Sequence, residues 1–167
     1  MKTSSVFLCF LSLSFSFLIY GQRSQSKAYV ADLKEITDIM MYDVTSPVAA
    51  ARYYAYSTLA SYELLAYRDK QHSSFFDFFQ RPIQNSFPEP MDLKNPVMAY
   101  RYALLFSASK LLPSGNKLQN RIGSLKSALS ASEVCYIEAF VTSIVAYANQ
   151  DGFLQLNNLK RYTPKRG

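Results

Sequence analysis

The chain has 167 residues and a formal net charge of +6, with 18 basic residues against 12 acidic ones. Nearly half of its residues, 49%, are hydrophobic, which is enough for one domain with an apolar core. The basic residues form no stripe interleaved with aromatic side chains, and their one cluster lies in a tail at 160–166, so the composition argues against nucleic-acid binding. One histidine and two cysteines are too few for a recurring metal-ligand pattern.

Residues 1–22 have the features of a secretory signal peptide. Lys2 supplies the positive start, an apolar and serine-diluted core runs from Val6 to Tyr20, and Gly21 is a small residue near a plausible cleavage point. The core is short for a membrane span, so we expect a periplasmic or secreted product without stable membrane insertion, and a retained anchor is the alternative. Removal of the signal leaves one helical domain over 23–167.

Cys135 is then the only cysteine of the mature chain, so an intramolecular disulfide is excluded. It lies in an apolar stretch, Val134 to Ile137, with no histidine nearby in the sequence. Reactive thiols need an electropositive and partly open setting. We therefore predict a buried structural thiol.

The longest apolar pattern begins after Asp43 and predicts a helix that ends near Arg68. Ser46 is placed to cap the first turn, and Pro47 suits the first helical position. Two apolar stripes follow at helical spacing, which predicts a helix buried on several sides. The first stripe is Val48, Ala51, Ala55, Leu59, Tyr62 and Ala66, and the second is Ala49, Tyr53, Tyr56, Ala60 and Leu64.

Four further helices are predicted, so the fold class is all-α, a bundle of about five helices with no convincing strand. The first covers Lys27 to Met41, with Val30 facing in and Asp32 facing out. The other three are opened by Asn95-Pro96, by Asn116, and by Ser130 with Glu133 at capping-box spacing; they end near Leu112, Leu129 and Gly152.

An aromatic segment interrupts the helical pattern between Asp69 and Lys94. It contains three prolines and five phenylalanines, the latter at positions Phe75, Phe76, Phe78, Phe79 and Phe87. Loops of this length are uncommon in compact domains unless they are functional. Because large aromatic side chains are normally buried, a hydrophobic plug is favoured over a ligand-binding surface.

Two runs of the sequence resemble the N-terminal helical part of secreted bacterial vanadium-dependent haloperoxidases, relatives of the type 2 phosphatidic acid phosphatases. The first matches a D-V-x-S-P start followed by Arg, Y-A-Y and A-x-Y-E, through Asp43, Val44, Ser46, Pro47, Arg52, Tyr54 to Tyr56, Ala60, Tyr62 and Glu63. The second is Ala146 to Gly152 with Tyr162-Thr163-Pro164. A Trp-x-Pro-Thr segment usually follows in that family, whereas this chain has no Trp. The resemblance implies a chain truncated before the catalytic half.

The vanadate site that this resemblance implies needs a Lys and an Arg ahead of a Pro, a Pro-Ser-Gly-His segment, and a later Arg and His. Arg81-Pro82 and Pro113 to Asn116 imitate parts of it. However, Ser74 stands where the lysine is needed, and the single histidine, His72, precedes both fragments. We assign both fragments to ordinary loops.

We therefore predict no catalytic, cofactor-binding or metal-binding residue in this chain; vanadate belongs to the complete family member. His72 is expected to be solvated. Arg52 and Glu63 are three helical turns apart, so each is expected to pair with a different neighbouring helix rather than with a substrate.

The predicted function is that of an N-terminal haloperoxidase-like fragment, inactive alone, whose partner is a missing or separately encoded C-terminal half. The complete family member would oxidise halide with hydrogen peroxide on bound vanadate. Self-association is expected, since two helices are apolar nearly all round. The alternative function is a free-standing secreted interaction module that uses the segment Phe75 to Phe87.

Overall fold

The computed structural model describes residues 25–69, 71–78 and 87–158, with side chains through 156. These ranges contain five α-helices and no strand, which confirms the all-α fold class. The helices are α1 (25–42), α2 (Pro47–Arg68), α3 (Pro96–Leu111), α4 (Gln119–Lys126) and α5 (Ala131–Ala148). Short 3-10 helices cover Phe75–Phe78, Gly115–Leu118 and Phe153–Asn158. The proposed signal peptide at 1–22 and the basic tail lie outside the described residues.

Local capping fixes three helix starts where the sequence predicts them. The Ser46 side chain accepts a hydrogen bond from the Ala49 N–H at 3.4 Å, and the Asn95 side chain accepts one from the Met98 N–H at 3.3 Å. At α5 the capping box is complete, because Glu133 also accepts from the Ser130 N–H at 2.9 Å. Each cap satisfies a donor that the first helical turn leaves free.

The central helix of the bundle is α3, which packs against α2, α4 and α5. Its fully buried residues are Ala99, Ala103, Leu104, Leu105, Ser107 and Ala108.

The prediction that α2 is buried on several sides is wrong. Its second stripe faces α3 and the core, with Ala60 and Leu64 fully buried, but most of the first stripe is exposed, including Val48 and Ala55.

Helix α1 departs from its predicted orientation at two residues. Val30 is exposed, whereas Asp32 is fully buried. The Asp32 carboxylate accepts hydrogen bonds from Arg101 on α3 and Arg121 on α4. A charged residue of an amphipathic helix normally faces solvent. Burial of Asp32 is favourable only because the side chains of Arg101 and Arg121, distant in the sequence, pair with its charge.

The aromatic segment divides between core and surface. Phe76 is buried and Phe87 is stacked on Phe140 of α5, with 4.2 Å between ring centroids, so these two rings act as the predicted plug. Phe75 and Phe78, in contrast, are exposed. Phe79 lies outside the described residues.

Helix α5 corrects the prediction for Cys135, whose side chain is exposed rather than buried. The apolar pattern of this helix is broad enough to reach the surface beside Val134 and Tyr136, which are buried. Within the described part of the chain, the run Ala131–Leu156 is long and apolar enough to cross a membrane, at a mean hydropathy of 1.2. The core helix of a soluble protein can be equally long and apolar. Within this run, 44% of the most apolar 18-residue stretch is buried inside the bundle.

Candidate binding groove

An apolar groove runs along the exposed stripe of α2. Its volume is about 800 Å³. Along α2 it is lined by Val48, Ala51, Arg52, Ala55, Tyr56, Thr58, Leu59 and Tyr62, and beyond α2 by Phe75, Asp151, Phe153 and Leu156. We call this surface the α2 groove. Val48 to Tyr62 spans about 21 Å at the helical rise, or roughly four turns.

Near one end of the α2 groove, Arg52 joins α2 to the end of α5. Its Nε donates to Asp151 Oδ2 at 2.7 Å, and its Nη2 donates to the Ala148 carbonyl at 2.9 Å. The guanidinium also lies 4.6 Å from the centroid of the Phe153 ring. Burial raises the pKa of Asp151, but hydrogen bonds from Arg52 and the Phe153 N–H outweigh it, so the pKa lies below its usual value. Both charges at this end are therefore paired.

The other end of the α2 groove is built on Tyr62 and Glu63. The Tyr62 hydroxyl donates to the Ser73 carbonyl at 2.8 Å, and its ring meets Phe75 edge to face at 6.1 Å. Glu63 is fully buried and accepts hydrogen bonds from the Ser74 hydroxyl at 2.7 Å and the Phe75 N–H at 2.6 Å. Burial raises the pKa of Glu63 above its usual value, although both hydrogen bonds act in the opposite direction.

The structure separates Arg52 from Glu63, as the sequence predicts. Arg52 contacts the neighbouring helix α5 through the Ala148 carbonyl, whereas its ion-pair partner, Asp151, lies three residues past the end of that helix. Glu63 contacts a loop instead of a helix, because the chain after α2 folds back along it. Its partners are the Ser74 hydroxyl and the Phe75 N–H.

Of the two fragments that imitate an oxyanion site, the structure describes only the one from Pro113 to Asn116. Ser114 donates its N–H and its hydroxyl to Asp43, so the segment from Pro113 serves as a turn that fastens α3 to the α1–α2 connection. Half-exposed His72 has its Nδ1 3.2 Å from Asp69 Oδ2, a local contact within the loop. Arg81-Pro82 lies outside the described residues.

Among the described residues, no group of three or more His, Cys, Asp or Glu side chains is placed to hold a metal ion. What the sequence did not reveal is the groove itself. The apolar character of α2 on both sides was its only signal, and that pattern does not say which side the rest of the chain covers.

Comparison with known proteins finds no relative of this chain. No protein-family profile, no curated protein and no solved structure matches the chain.

Proposed function

We propose that this chain is the N-terminal helical part of a vanadium-dependent haloperoxidase-like protein, and that the α2 groove receives an apolar helix of the catalytic half. The single observation behind this proposal is the uncovered stripe on α2, where Val48 is 73% exposed. The same helix carries most of the residues in the first of the two runs that resemble the family. Exposed apolar surface rimmed by polar groups is typical of interaction sites.

The shape of the α2 groove favours a helix as its occupant. Ala51 and Ala55 are small residues one turn apart, and they allow a second helix axis to approach to within about 8–10 Å. Leu59 and Phe75 offer larger apolar surface farther along. The charges in the lining, Arg52 and Asp151, neutralise each other, so the complementary face is uncharged. An amphipathic helix with leucine-type side chains three or four residues apart fits this surface.

The activity of the complete protein, under this proposal, is halide oxidation by hydrogen peroxide on vanadate held by the other half. The present chain is expected to be secreted or periplasmic and to be inactive alone. Mature protein incubated with vanadate, peroxide and bromide should therefore show no turnover. Turnover that disappears on His72→Ala would contradict this expectation.

The family assignment is tested by the nucleotide sequence downstream of the Gly167 codon, read in all frames. We expect a Trp-x-Pro-Thr segment followed by Pro-Ser-Gly-His and a later Arg and His. If no frame encodes these motifs downstream, and none is encoded as a separate secreted partner, the assignment is wrong.

The groove is tested with a fluorescein-labelled amphipathic peptide of about four helical turns with leucines on one face. We expect saturable binding to the wild-type protein. Ala55→Asp should weaken it by about tenfold or more, since burying an unpaired charge costs more than the 1.4 kcal/mol of a tenfold change. Ala31 is also an exposed alanine, on α1, so Ala31→Asp is the matched control and should leave binding unchanged. Equal binding by all three proteins would remove the groove from the proposal.

The second candidate is a free-standing secreted interaction module, favoured by the exposed rings of Phe75 and Phe78. It predicts a monodisperse monomer with a sharp cooperative melt, whereas an uncovered α2 groove predicts self-association and binding of an apolar dye. Sedimentation velocity combined with dye titration separates the two candidates.

A further inference from the structure

The segment 73–76 is fastened to α2 through two consecutive residues of that helix. Tyr62 holds the Ser73 carbonyl, and Glu63 holds both the Ser74 hydroxyl and the Phe75 N–H. Ser74 Oγ in turn accepts a hydrogen bond from the Phe76 N–H at 3.1 Å. Three backbone groups of this segment are thus satisfied by α2 and by the Ser74 side chain.

The Glu63 carboxylate is the central group of this arrangement. An ionised carboxylate only accepts hydrogen bonds, and its bonds to N–H and O–H donors are short and strong. Here two donors from adjacent residues converge on its two oxygens, at 2.7 and 2.6 Å, in a place that solvent does not reach. Removal of the carboxylate would leave the Phe75 N–H without this acceptor in a part-buried position.

We propose that Glu63 is a latch: it holds segment 73–76 against α2 and so positions Phe75 as a wall of the α2 groove. Tyr62 and Phe75 both line the groove, whereas Glu63 points away from it into the protein and acts through them. Glu63 is therefore a positioning residue. A helix that enters the α2 groove touches the ring of Phe75, and the backbone N–H of Phe75 is hydrogen-bonded to Glu63. The shape of the groove therefore depends on the hydrogen bonds that Glu63 accepts. Only the naming of Phe75 as a groove wall rests on the proposed function.

The absence of tryptophan from the sequence allows a direct test. Phe75→Trp introduces a single fluorescent reporter at the wall, and acrylamide quenching measures its access to solvent. In this background we expect Glu63→Ala to increase the quenching constant and shift the emission to the red, with the far-UV circular dichroism of the bundle retained. Glu63→Gln keeps one acceptor oxygen and should give an intermediate increase.

Glu133→Ala is the matched control, because Glu133 is also a buried carboxylate that accepts a loop N–H, from Lys94 at 2.8 Å. It should destabilise the bundle without changing the quenching of the reporter. If Glu63→Ala does not fold, Ser74→Ala removes one of the two donors to Glu63 and should still increase quenching. Unchanged quenching in both latch variants, or an equal increase in Glu133→Ala, would overturn the proposal. Because the quenching experiment uses no groove ligand, its outcome does not depend on whether the amphipathic peptide binds the α2 groove.

Discussion

Asp32 of α1 and Arg101 of α3 form a buried ion pair across the bundle. Arg101 Nε lies 2.5 Å from Asp32 Oδ2 and Nη2 lies 3.1 Å from Oδ1, so the contact is bidentate. Arg121 of α4 adds a third contact, at 2.8 Å from Oδ1. One carboxylate therefore joins three helices, and its ion pairs hold this side of α1 against the bundle.

Asp32→Ala is expected to destabilise the protein by about 3–5 kcal/mol, because it leaves the buried guanidinium of Arg101 without its partner. Asp38→Ala is the control on the same helix. Its pair with Lys34 is exposed, and its loss should cost no more than about 0.5 kcal/mol. Urea denaturation of the two variants measures both values. Equal free energies of unfolding would mean that the three-helix junction does not form in solution.

The sequence predicted what is decided locally. The caps at Ser46, Asn95 and Ser130 depend on a side chain and the first turn that follows it, so short-range patterns are sufficient. The ends of α2 and α3 were predicted to within about one residue for the same reason.

The orientation of the helices could not be predicted in the same way. Asp32 is buried because of Arg101 and Arg121, which are 69 and 89 residues away. Cys135 and most of the first stripe of α2 are exposed because the neighbouring elements cover only part of each apolar helix. A hydrophobic pattern records that a side chain suits burial, but the partner that buries it lies elsewhere in the chain. The α2 groove was missed for this reason.

The capping box of α5 predicts a specific loss of stability in acid. Hydrogen bonds from the Ser130 hydroxyl and N–H hold the pKa of Glu133 below its usual value. In the unfolded chain that pKa returns to about 4.3. The carboxylate therefore stabilises the fold fully above that pH, and the contribution is lost as the pH falls through the lower, folded-state pKa.

Ser130→Ala should cost about 1 kcal/mol at pH 7 and should make the stability less dependent on pH below about 5. Urea denaturation of wild type and variant between pH 3 and pH 7 provides the measurement. If the two stability profiles run parallel throughout that range, Glu133 is not held by Ser130 in the folded state.

Two glycines are expected to respond in opposite directions to substitution by alanine. A Cβ on Gly115 would lie 2.3 Å from the Ser109 carbonyl oxygen, which belongs to the rigid backbone of α3. Gly123, in the exposed part of α4, has nothing within 4 Å of the position of its Cβ. Gly115→Ala should therefore lower the melting temperature, whereas Gly123→Ala should raise stability by up to about 1 kcal/mol through helix propensity. A stabilising Gly115→Ala would show that the turn before α4 packs less closely on α3.

Ala55 and Ala60 test which side of α2 is covered. Both are alanines in the middle of the same helix, but Ala55 is exposed in the α2 groove and Ala60 is fully buried against the bundle. Ala60→Asp buries an unpaired charge, should cost several kcal/mol and should prevent folding. Ala55→Asp should change stability by no more than about 0.5 kcal/mol, as is usual for surface substitutions, while it reduces the binding of an apolar dye. Circular dichroism melts and dye titration of both variants at equal concentration decide the matter. Loss of folding in Ala55→Asp would mean that the first stripe is covered in solution by another part of the chain or by a second copy.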